Sequence, residues 1–310
     1  MNAMQSFTTD IGGPVFVADY GGSGMPAVLV HGLGGSHINW AAVGPELARS
    51  FHVLAPDLPG FGRSPSAGRE ASIAANVRVI EELIRRLDAG PVLLMGNSMG
   101  GLISLGVAAG RSDLLSGLVL VDAALPVPRE ELFRFNPVAL RFVAAFAVPR
   151  LGEYFLSRAA GTVGAEGLVR STLARCTVDW RRVDPRLVQE MIDLERERLA
   201  RPRWHEAVIE GTRSIVQTLM ARRHVERWIR AVSAPTLLVH GARDGVVRVS
   251  SARAASDMRP DWEYVELGDA GHVPMMEVPR LFLDTVDDWL ESVPPLASLS
   301  TRRADSAASA

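Results

Sequence analysis

The chain has 310 residues, of which 47% are hydrophobic, and this is enough to build a sizeable core. Its net charge is −2 with acids and bases interspersed, so we expect neither a nucleic-acid partner nor binding to an anionic membrane surface. All 33 basic residues are arginine. A chain without lysine cannot use a Schiff-base lysine, a pyridoxal-phosphate anchor or a P-loop lysine, and enzyme classes that need one are excluded.

Cysteine usage and the apolar pattern predict a soluble, cytoplasmic protein. The only cysteine, Cys176, has no partner for an intramolecular disulfide or a C-x-x-C motif. Residues 1–10 lack the basic and apolar regions of a secretory signal. Residues 137–149 are too few to span a bilayer, and Arg141 interrupts them. We therefore expect no membrane span, and nothing in the pattern indicates an oligomeric state.

Short apolar runs alternate with helical patterns up to residue 122 and again from residue 233. Residues 15–20 alternate loosely before a glycine-rich turn, which is typical of an edge strand in an antiparallel pair. Further strands are predicted at residues 27–30, 53–56, 92–95, 118–121, 236–240 and 262–267. Helices are predicted at residues 73–87, 102–109, 249–258 and 281–290. The alternation predicts an α/β fold with a doubly wound, mostly parallel sheet.

The alternation stops between residues 123 and 232. This segment has helical spacing, several prolines and no strand pattern, and so we predict an inserted helical lid. It leaves the sheet at the carboxyl end of a strand, where open α/β sheets place their sites. Several of its apolar side chains are expected to face a cavity there: Leu132, Phe133, Phe135, Leu140, Phe142, Phe146, Phe155, Trp180 and Trp204. The predicted domains are a core (1–122 and 233–297), the lid (123–232) and a disordered tail (298–310).

A serine lies at the junction of a predicted strand and a predicted helix. Residues 92–95 lead into the sequence Gly-Asn-Ser-Met-Gly at residues 96–100, and a helical pattern follows. Glycines two residues on either side of Ser98 let the strand and the helix approach closely while the serine adopts a strained conformation. This context is that of a nucleophile elbow, and it favours Ser98 as a nucleophile.

A serine hydroxyl needs an imidazole as base and a carboxylate that orients the imidazole. Loops after two later strands supply both groups, as Asp244 and His272. The chain order Ser98, Asp244, His272 is the one expected for α/β-hydrolases. Asp122, at the end of an earlier strand, stays open as an alternative acid. Asp269 ranks third, because its loop would have to fold back to reach the histidine.

Five motifs in order make nearly the whole chain, residues 15–293, resemble the α/β-hydrolase superfamily. It looks like a lidded serine hydrolase or esterase, with some similarity to meta-cleavage product hydrolases. The motifs lie at residues 31–35, 57–64, 96–101, 241–244 and 271–274. The resemblance implies Ser98 as nucleophile, Asp244 as the orienting carboxylate, and His272 as general base and then acid. It also implies an oxyanion hole from the backbone N–H groups of Leu33 and Met99.

Other candidates have simpler explanations. His31 is expected to brace the oxyanion loop, as its position does in the family. His37 and Trp40 are possible pocket residues, although exposure of His37 on its loop is an equal alternative. Asp57 and Arg63 are expected to tie their turn together. The remaining histidines (His52, His205, His224 and His240) carry no motif and are read as scaffold, and neither a metal nor a nucleotide cofactor is predicted.

The leading functional prediction is a cofactor-free serine hydrolase that cleaves a small apolar ester or similar acyl compound through an acyl-enzyme. The alternative is a carbon–carbon bond hydrolase of the meta-cleavage type, in which the sequence Gly-Asn-Ser-Met-Gly-Gly is common. Those enzymes usually carry a proline in the oxyanion loop and a tryptophan after the histidine, whereas this chain has Gly34-Gly35 and Val273. A non-catalytic ligand receptor on the same fold is the second alternative, disfavoured by the intact Ser, Asp and His set.

Overall fold

The computed structural model describes residues 4–131 and 151–300, and its centre is one eight-stranded sheet. The strands are β1 (Gln5–Asp10), β2 (Pro14–Gly21), β3 (Pro26–Val30), β4 (His52–Pro56), β5 (Val92–Asn97), β6 (Leu115–Val121), β7 (Thr236–Gly241) and β8 (Glu263–Leu267). Their order across the sheet is β1-β2-β4-β3-β5-β6-β7-β8. The pairs β1–β2 and β2–β4 are antiparallel and all others are parallel. The predicted α/β, mostly parallel sheet is confirmed.

The helices connect these strands and cover both faces of the sheet. They are α1 (Gly44–Leu47), α2 (Ile73–Leu87), α3 (Met99–Gly110), α4 (Leu151–Cys176), α5 (Pro185–Leu199), α6 (Glu206–Met220), α7 (Arg222–Ala231), α8 (Val249–Met258), α9 (Pro274–Glu277) and α10 (Pro279–Ser292). Short 3-10 turns occur at His37–Trp40, Ser112–Leu114, Arg129–Glu131, Trp180–Arg182 and Ala297–Leu299. Helix α4 is interrupted at Gly164, whose φ is +65°.

Two apolar cores, one on each face, explain why the central strands are continuous apolar runs. In β3, Val28 and Val30 face the core under α2 and α3, while Ala27 and Leu29 face the core under α1 and α10. Successive side chains of a strand point to opposite faces, so a strand covered on both sides needs apolar residues at every position. This burial fixes the register of the parallel strands and therefore the positions of the loops at their carboxyl ends.

Helix α2 illustrates how individual residues determine where a helix begins and ends. The Ser72 side chain accepts a hydrogen bond from the Ala75 amide at its start, and Asp88 ends it in a left-handed conformation with φ +46°. Its apolar positions recur with helical spacing and face one core, so the predicted helix at residues 73–87 has the observed bounds.

Strand β1 was not located by the sequence pattern, although an antiparallel partner for residues 15–20 was expected. Phe7 is its one large apolar residue, and five of its six residues are exposed. An edge strand held mainly by backbone hydrogen bonds to β2 leaves little periodicity in the sequence.

Helix α7, inside the range predicted for the insertion, packs on the core. Its Val225 and Ile229 are fully buried in the same core as α3. A Cβ on Gly106 of α3 would lie 3.3 Å from the Trp228 ring, so the two helices are in close contact. Within the described ranges, the rest of the predicted insertion consists of residues 123–131, α4, α5 and α6.

The packed chain also extends beyond residue 297, where the tail was predicted to begin. Ser300 is fully buried and donates a hydrogen bond to Glu291. Residues 301–310 and the predicted cavity residues between 132 and 150 lie outside the described residues. In residues 4–131 and 151–300, no helix has both the length and the apolarity that a membrane span needs.

Two glycines in α3 provide a test of how tightly this helix packs. A Cβ on Gly100 would collide with the carbonyl oxygens of Val30 and His31, so Gly100→Ala should lower the free energy of unfolding by about 1–3 kcal/mol. At Gly110 the nearest atom, Glu81 Oε1, is 3.7 Å from the same position. Gly110→Ala should therefore change the free energy by less than about 0.5 kcal/mol. Urea denaturation measures both, and equal effects would contradict the packing described.

Candidate active site

Ser98 lies on a sharp turn between β5 and α3. Its φ and ψ are +56° and −116°, which is a strained combination for a residue with a side chain. The turn is held by backbone hydrogen bonds: the Ser98 amide donates to Val121 O, and the Ser98 carbonyl accepts from Leu102 and Ala124. Ser98 is half-buried, whereas the residues on either side of it are fully buried. The backbone therefore presents this hydroxyl at the end of the sheet.

His272 and Asp244 meet beyond the carboxyl ends of β7 and β8. His272 Nδ1 lies 2.7 Å from Asp244 Oδ2, and Asp244 Oδ1 accepts hydrogen bonds from the amides of Val246 and Val247. Burial acts to raise the pKa of Asp244, but hydrogen bonds from His240 and His272 outweigh it and lower that pKa below its usual value. Asp244 is therefore an anion at neutral pH, and His272 Nδ1 carries a proton towards it.

Asn97 connects the serine turn to the histidine loop. Its side-chain amide donates to Val121 O at 3.1 Å and to His272 O at 3.0 Å. The residue before Ser98 thus fixes the backbone of His272, which places the two loops side by side. Ser98 directly precedes α3, and its side chain makes no capping hydrogen bond to that helix.

Asp122, the rival acid, lies close to Asp244 but does not contact His272 through a hydrogen bond in the described residues. It is fully buried at the end of β6, and its Oδ1 accepts from the Gly241 amide at 2.8 Å. Its Oδ2 is buried without a hydrogen-bond partner among the described residues. Burial, and then the charge of Asp244, raise the pKa of Asp122 well above its usual value. Asp122 is therefore protonated beside an ionised Asp244.

His240 completes this buried cluster. Its Nε2 lies 3.1 Å from Val247 O, 3.4 Å from Asp244 Oδ2 and 3.7 Å from Asp122 Oδ1. Three oxygen atoms around one nitrogen require a proton on Nε2, which donates to Val247 O and lies near the Asp244 carboxylate. The potential ligand atoms of these three residues lie within 4.8 Å of one another. Because Nε2 is the protonated nitrogen and both oxygens of Asp244 already accept hydrogen bonds, this donor set does not fit a metal ion.

The third candidate acid, Asp269, is an exposed residue bonded to two arginines. Its carboxylate accepts from Arg182 at 2.7 Å and from Arg243 at 3.0 Å. These contacts place it on the outside of the His272 loop. Of the three candidate acids, Asp244 is the one that is hydrogen-bonded to His272.

His31 braces the predicted oxyanion loop. Its Nε2 accepts from the Leu58 amide at 3.0 Å, so its proton is on Nδ1, which donates to Gly32 O at 2.7 Å. Burial lowers the pKa of His31, in agreement with a neutral ring. Because the peptide after Gly32 is planar and trans, holding its carbonyl towards His31 directs the Leu33 N–H to the opposite side. A Cβ on Gly32 would lie 3.1 Å from Ser98 Cβ, so this peptide borders the serine.

The second predicted oxyanion donor, Met99, is the first residue of α3. An amide in the first turn of a helix has no intrahelical partner and lies at the positive end of the helix dipole. Helix α6 packs on the side chains of Leu33 and Met99. A Cβ on Gly211 would be 2.8 Å from Leu33 Cδ1 and 3.5 Å from Met99 Sδ.

The two possible pocket residues are both buried. His37 is 3% exposed, and its Nδ1 lies 3.1 Å from both oxygens of Asp57. Asp57 also accepts from the Arg63 amide, so it ties its own turn together. Trp40 has no exposed surface and packs against Phe282 in the core. Trp40 therefore does not border a cavity open to solvent.

Three predicted cavity residues of the insertion fall within the described ranges. Phe155 is half exposed. Trp180 lies beneath the guanidinium groups of Arg170 and Arg181, and Trp204 lies beneath that of Arg198. Both tryptophan rings are thus engaged by arginines of the insertion itself.

Sequence reasoning missed three positioning groups at this site: Asn97, His240 and Glu277. Asn97 directly precedes the serine and His240 lies four residues before Asp244, so proximity to motif residues was an available signal. Glu277 is a wholly buried carboxylate five residues after His272, and its partners are backbone amides. No side-chain pattern encodes such contacts.

Comparison with known proteins agrees with the fold described above. Residues 26–279 match the model of a family described as the alpha/beta hydrolase fold. The chain therefore belongs to the α/β-hydrolase family, and it is a hydrolase.

Individual relatives share most of the chain. A 2-hydroxy-6-oxo-6-(2'-aminophenyl)hexa-2,4-dienoic acid hydrolase of Metapseudomonas resinovorans is 31% identical over 282 residues, 87% of this chain and 85% of the relative. Lipase 1 of Psychrobacter immobilis is 25% identical over 88% of this chain and 80% of its own. Among solved structures, a thermophilic esterase from Thermogutta terrifontis superposes with a TM-score of 0.68 at 25% identity, covering 94% of this chain and 99% of that one.

Replacing each buried aspartate with asparagine should have a large effect on activity at Asp244 and a small effect at Asp122. Asp244→Asn removes the anion that orients His272, so kcat should fall by about 10⁴. Asp122→Asn keeps the oxygen that accepts from Gly241 and replaces a carboxyl that is already neutral, so activity should remain within about tenfold of wild type. Steady-state kinetics on folded protein measure both. The reverse ranking would assign the acid to Asp122.

The pH dependence of stability gives an independent test of the Asp122 proton. A carboxyl whose pKa is raised by folding stabilises the folded state below its usual pKa of 3.8, and that contribution is lost as pH rises towards the folded value. Asp122→Asn should therefore raise Tm more at pH 8 than at pH 4. An equal change at both pH values would mean that Asp122 is ionised in the folded protein.

Proposed function

We propose that the protein is a serine hydrolase that cleaves a carboxylic ester or similar acyl compound with Ser98, His272 and Asp244. The observation that carries this proposal is the left-handed turn at Ser98, joined through Asn97 to the loop in which His272 contacts Asp244. A half-buried serine at the end of the sheet, a histidine and an ionised aspartate in that arrangement supply a nucleophile, a base and an orienting charge.

In the first half of the reaction, Ser98 Oγ attacks the carbonyl carbon of the substrate, and His272 Nε2 takes the hydroxyl proton. The imidazolium then returns this proton to the departing alcohol as the acyl–oxygen bond breaks, which leaves an acyl-enzyme. In the second half, a water molecule repeats the attack, with His272 again as base and then acid. Asp244 remains ionised throughout and stabilises the imidazolium.

The backbone amides of Leu33 and Met99 are the proposed oxyanion donors. Supporting this assignment, His31 fixes the orientation of the Leu33 peptide, and the Met99 amide lies in the first turn of α3, where amides have no intrahelical partner. Donors that are held in place before the reaction stabilise the tetrahedral oxyanion without reorganising, and one such donor is typically worth about 10²–10³ in kcat.

We further propose that the insertion, from residue 123 to about residue 221, is a lid over this site. In its favour, α6 packs on Leu33 and Met99, the residues of the proposed oxyanion hole. A lid made largely of apolar and aromatic residues favours an uncharged acyl group and excludes water from the oxyanion.

A carbon–carbon bond hydrolase is the second candidate, and the 31% identity with the Metapseudomonas resinovorans enzyme is the observation that favours it. Against it stand Gly34-Gly35 and Val273, where the family pattern has a proline and a tryptophan. Val273 is almost fully buried beside the histidine. The ester substrate is therefore our first choice.

Covalent labelling tests the nucleophile. A fluorophosphonate probe should modify wild-type protein at one serine, and Ser98→Ala should abolish labelling because, among the serines that the structure describes, only Ser98 has this turn and these partners. Peptide mass spectrometry identifies the modified residue. Ser104→Ala, in the next turn of α3, is a control that should still label. Modification of a different serine would refute the assignment.

The substrate class is tested by comparing p-nitrophenyl esters with a dienoic acid of the meta-cleavage type. We expect kcat/KM to be higher for esters with neutral, apolar acyl chains than for charged acyl chains or the dienoic acid, because the apolar side chains of Leu33 and Met99 lie at the proposed oxyanion hole. Spectrophotometric rates measure all three. Faster cleavage of the dienoic acid would favour the carbon–carbon hydrolase.

A further inference from the structure

Glu277 joins the histidine loop to the insertion through backbone amides. Its Oε2 accepts from the Gly271 amide at 2.9 Å, next to His272. Its Oε1 accepts from the amides of Val178 and Asp179, at 2.7 and 2.8 Å, in the turn that follows α4. One carboxylate thus holds two chain segments that lie about 100 residues apart.

The surroundings make this contact strong. The Glu277 side chain has no exposed surface, and a buried carboxylate is stable only when its oxygens are hydrogen-bonded. The Arg182 guanidinium lies 3.9 Å from Oε1 and is 38% exposed. Loss of one amide partner would leave a buried polar group unsatisfied, which is a large penalty. The carboxylate therefore resists any separation of the two segments.

Two further contacts join the same segments. The His272 amide donates to Cys176 O at 2.6 Å. A Cβ on Gly271 would lie 2.6 Å from Cys176 O and 2.8 Å from Thr177 Cα, so only glycine permits this approach. Arg182 also donates to Asp269 at 2.7 Å. Residues 176–182 therefore lie against the His272 loop.

We propose that Glu277 is a positioning residue, which sets the location of the His272 imidazole by fixing its loop to residues 176–182 of the insertion. This inference rests on the proposed serine-hydrolase function. It means that the insertion supports the general base as well as covering the substrate. It also means that exchanging the whole insertion for a short linker would disturb the base.

The test is Glu277→Gln. The glutamine amide would place an N–H group against backbone N–H groups, so at least one of the three hydrogen bonds is lost. Because a misplacement of about 1 Å costs about 10²-fold, kcat for a p-nitrophenyl ester should fall about 100-fold, with KM unchanged. Fluorophosphonate labelling of Ser98 should slow by a similar factor. The matched control Glu263→Gln, at an exposed position of β8, should leave both rates unchanged.

If Glu277 had only a structural role, Glu277→Gln would lower Tm but leave kcat per folded molecule at the wild-type value. Active-site titration counts the folded molecules. A wild-type kcat per folded molecule would overturn the proposal. Should Glu277→Gln fail to fold, Arg182→Gln removes only the exposed partner of Glu277 and Asp269. It should lower kcat about two- to fivefold, the range of an exposed ion pair, whereas Arg181→Gln at the neighbouring position should not. Equal kcat in the two arginine variants would count against the proposal.

Amide hydrogen exchange separates this inference from the proposed function. In Glu277→Gln, residues 176–182 and 270–277 should lose protection together, while residues 236–241 of β7 keep theirs, whether or not the protein hydrolyses esters. Absence of Ser98 labelling in wild type would refute the proposed function, and the exchange experiment would still decide whether Glu277 links the segments. Unchanged protection in both segments would overturn the inference.

Discussion

The close approach of α3 to the central strands is the constraint on which the candidate site depends. Gly100 lies against the carbonyl oxygens of Val30 and His31, and this distance leaves no room for a side chain. The chain must therefore turn sharply between β5 and α3, and Ser98 takes the strained conformation at that turn. The same approach brings the His31–Gly32 loop to the serine. Packing energy in the core thus maintains backbone strain at the site.

The acid side of the site depends on a division of charge between two buried aspartates. Two ionised carboxylates so close together would repel each other strongly, and only Asp244 has enough donors to remain ionised. Asp122 keeps its proton and supports the Gly241 backbone. His240 lies between them, with its Nε2 3.4 Å from the carboxylate of Asp244. The site therefore holds one orienting anion, and its identity follows from the count of hydrogen-bond donors.

The sequence predicted the parallel strands and α2 well, because burial on both faces of a sheet and helical spacing leave strong patterns. The candidate residues Ser98, Asp244 and His272 follow from motifs at strand ends, and the contact between Asp244 and His272 is present. Predictions failed where side chains carry little information. Strand β1 is held by backbone hydrogen bonds. Helix α7 looks like its amphipathic neighbours in the insertion, and only its packing against α3 assigns it to the core.

The use of backbone amides by Glu277 has a consequence for how this protein can change. The amides of Val178 and Asp179 are present whatever side chains stand at those positions, with proline as the exception. Substitutions in the turn after α4 can therefore alter its surface without removing a hydrogen bond from Glu277. The position of the insertion's backbone at this contact therefore does not depend on which side chains the insertion carries. New substrate preferences could arise by mutation in the insertion while the histidine loop keeps its support.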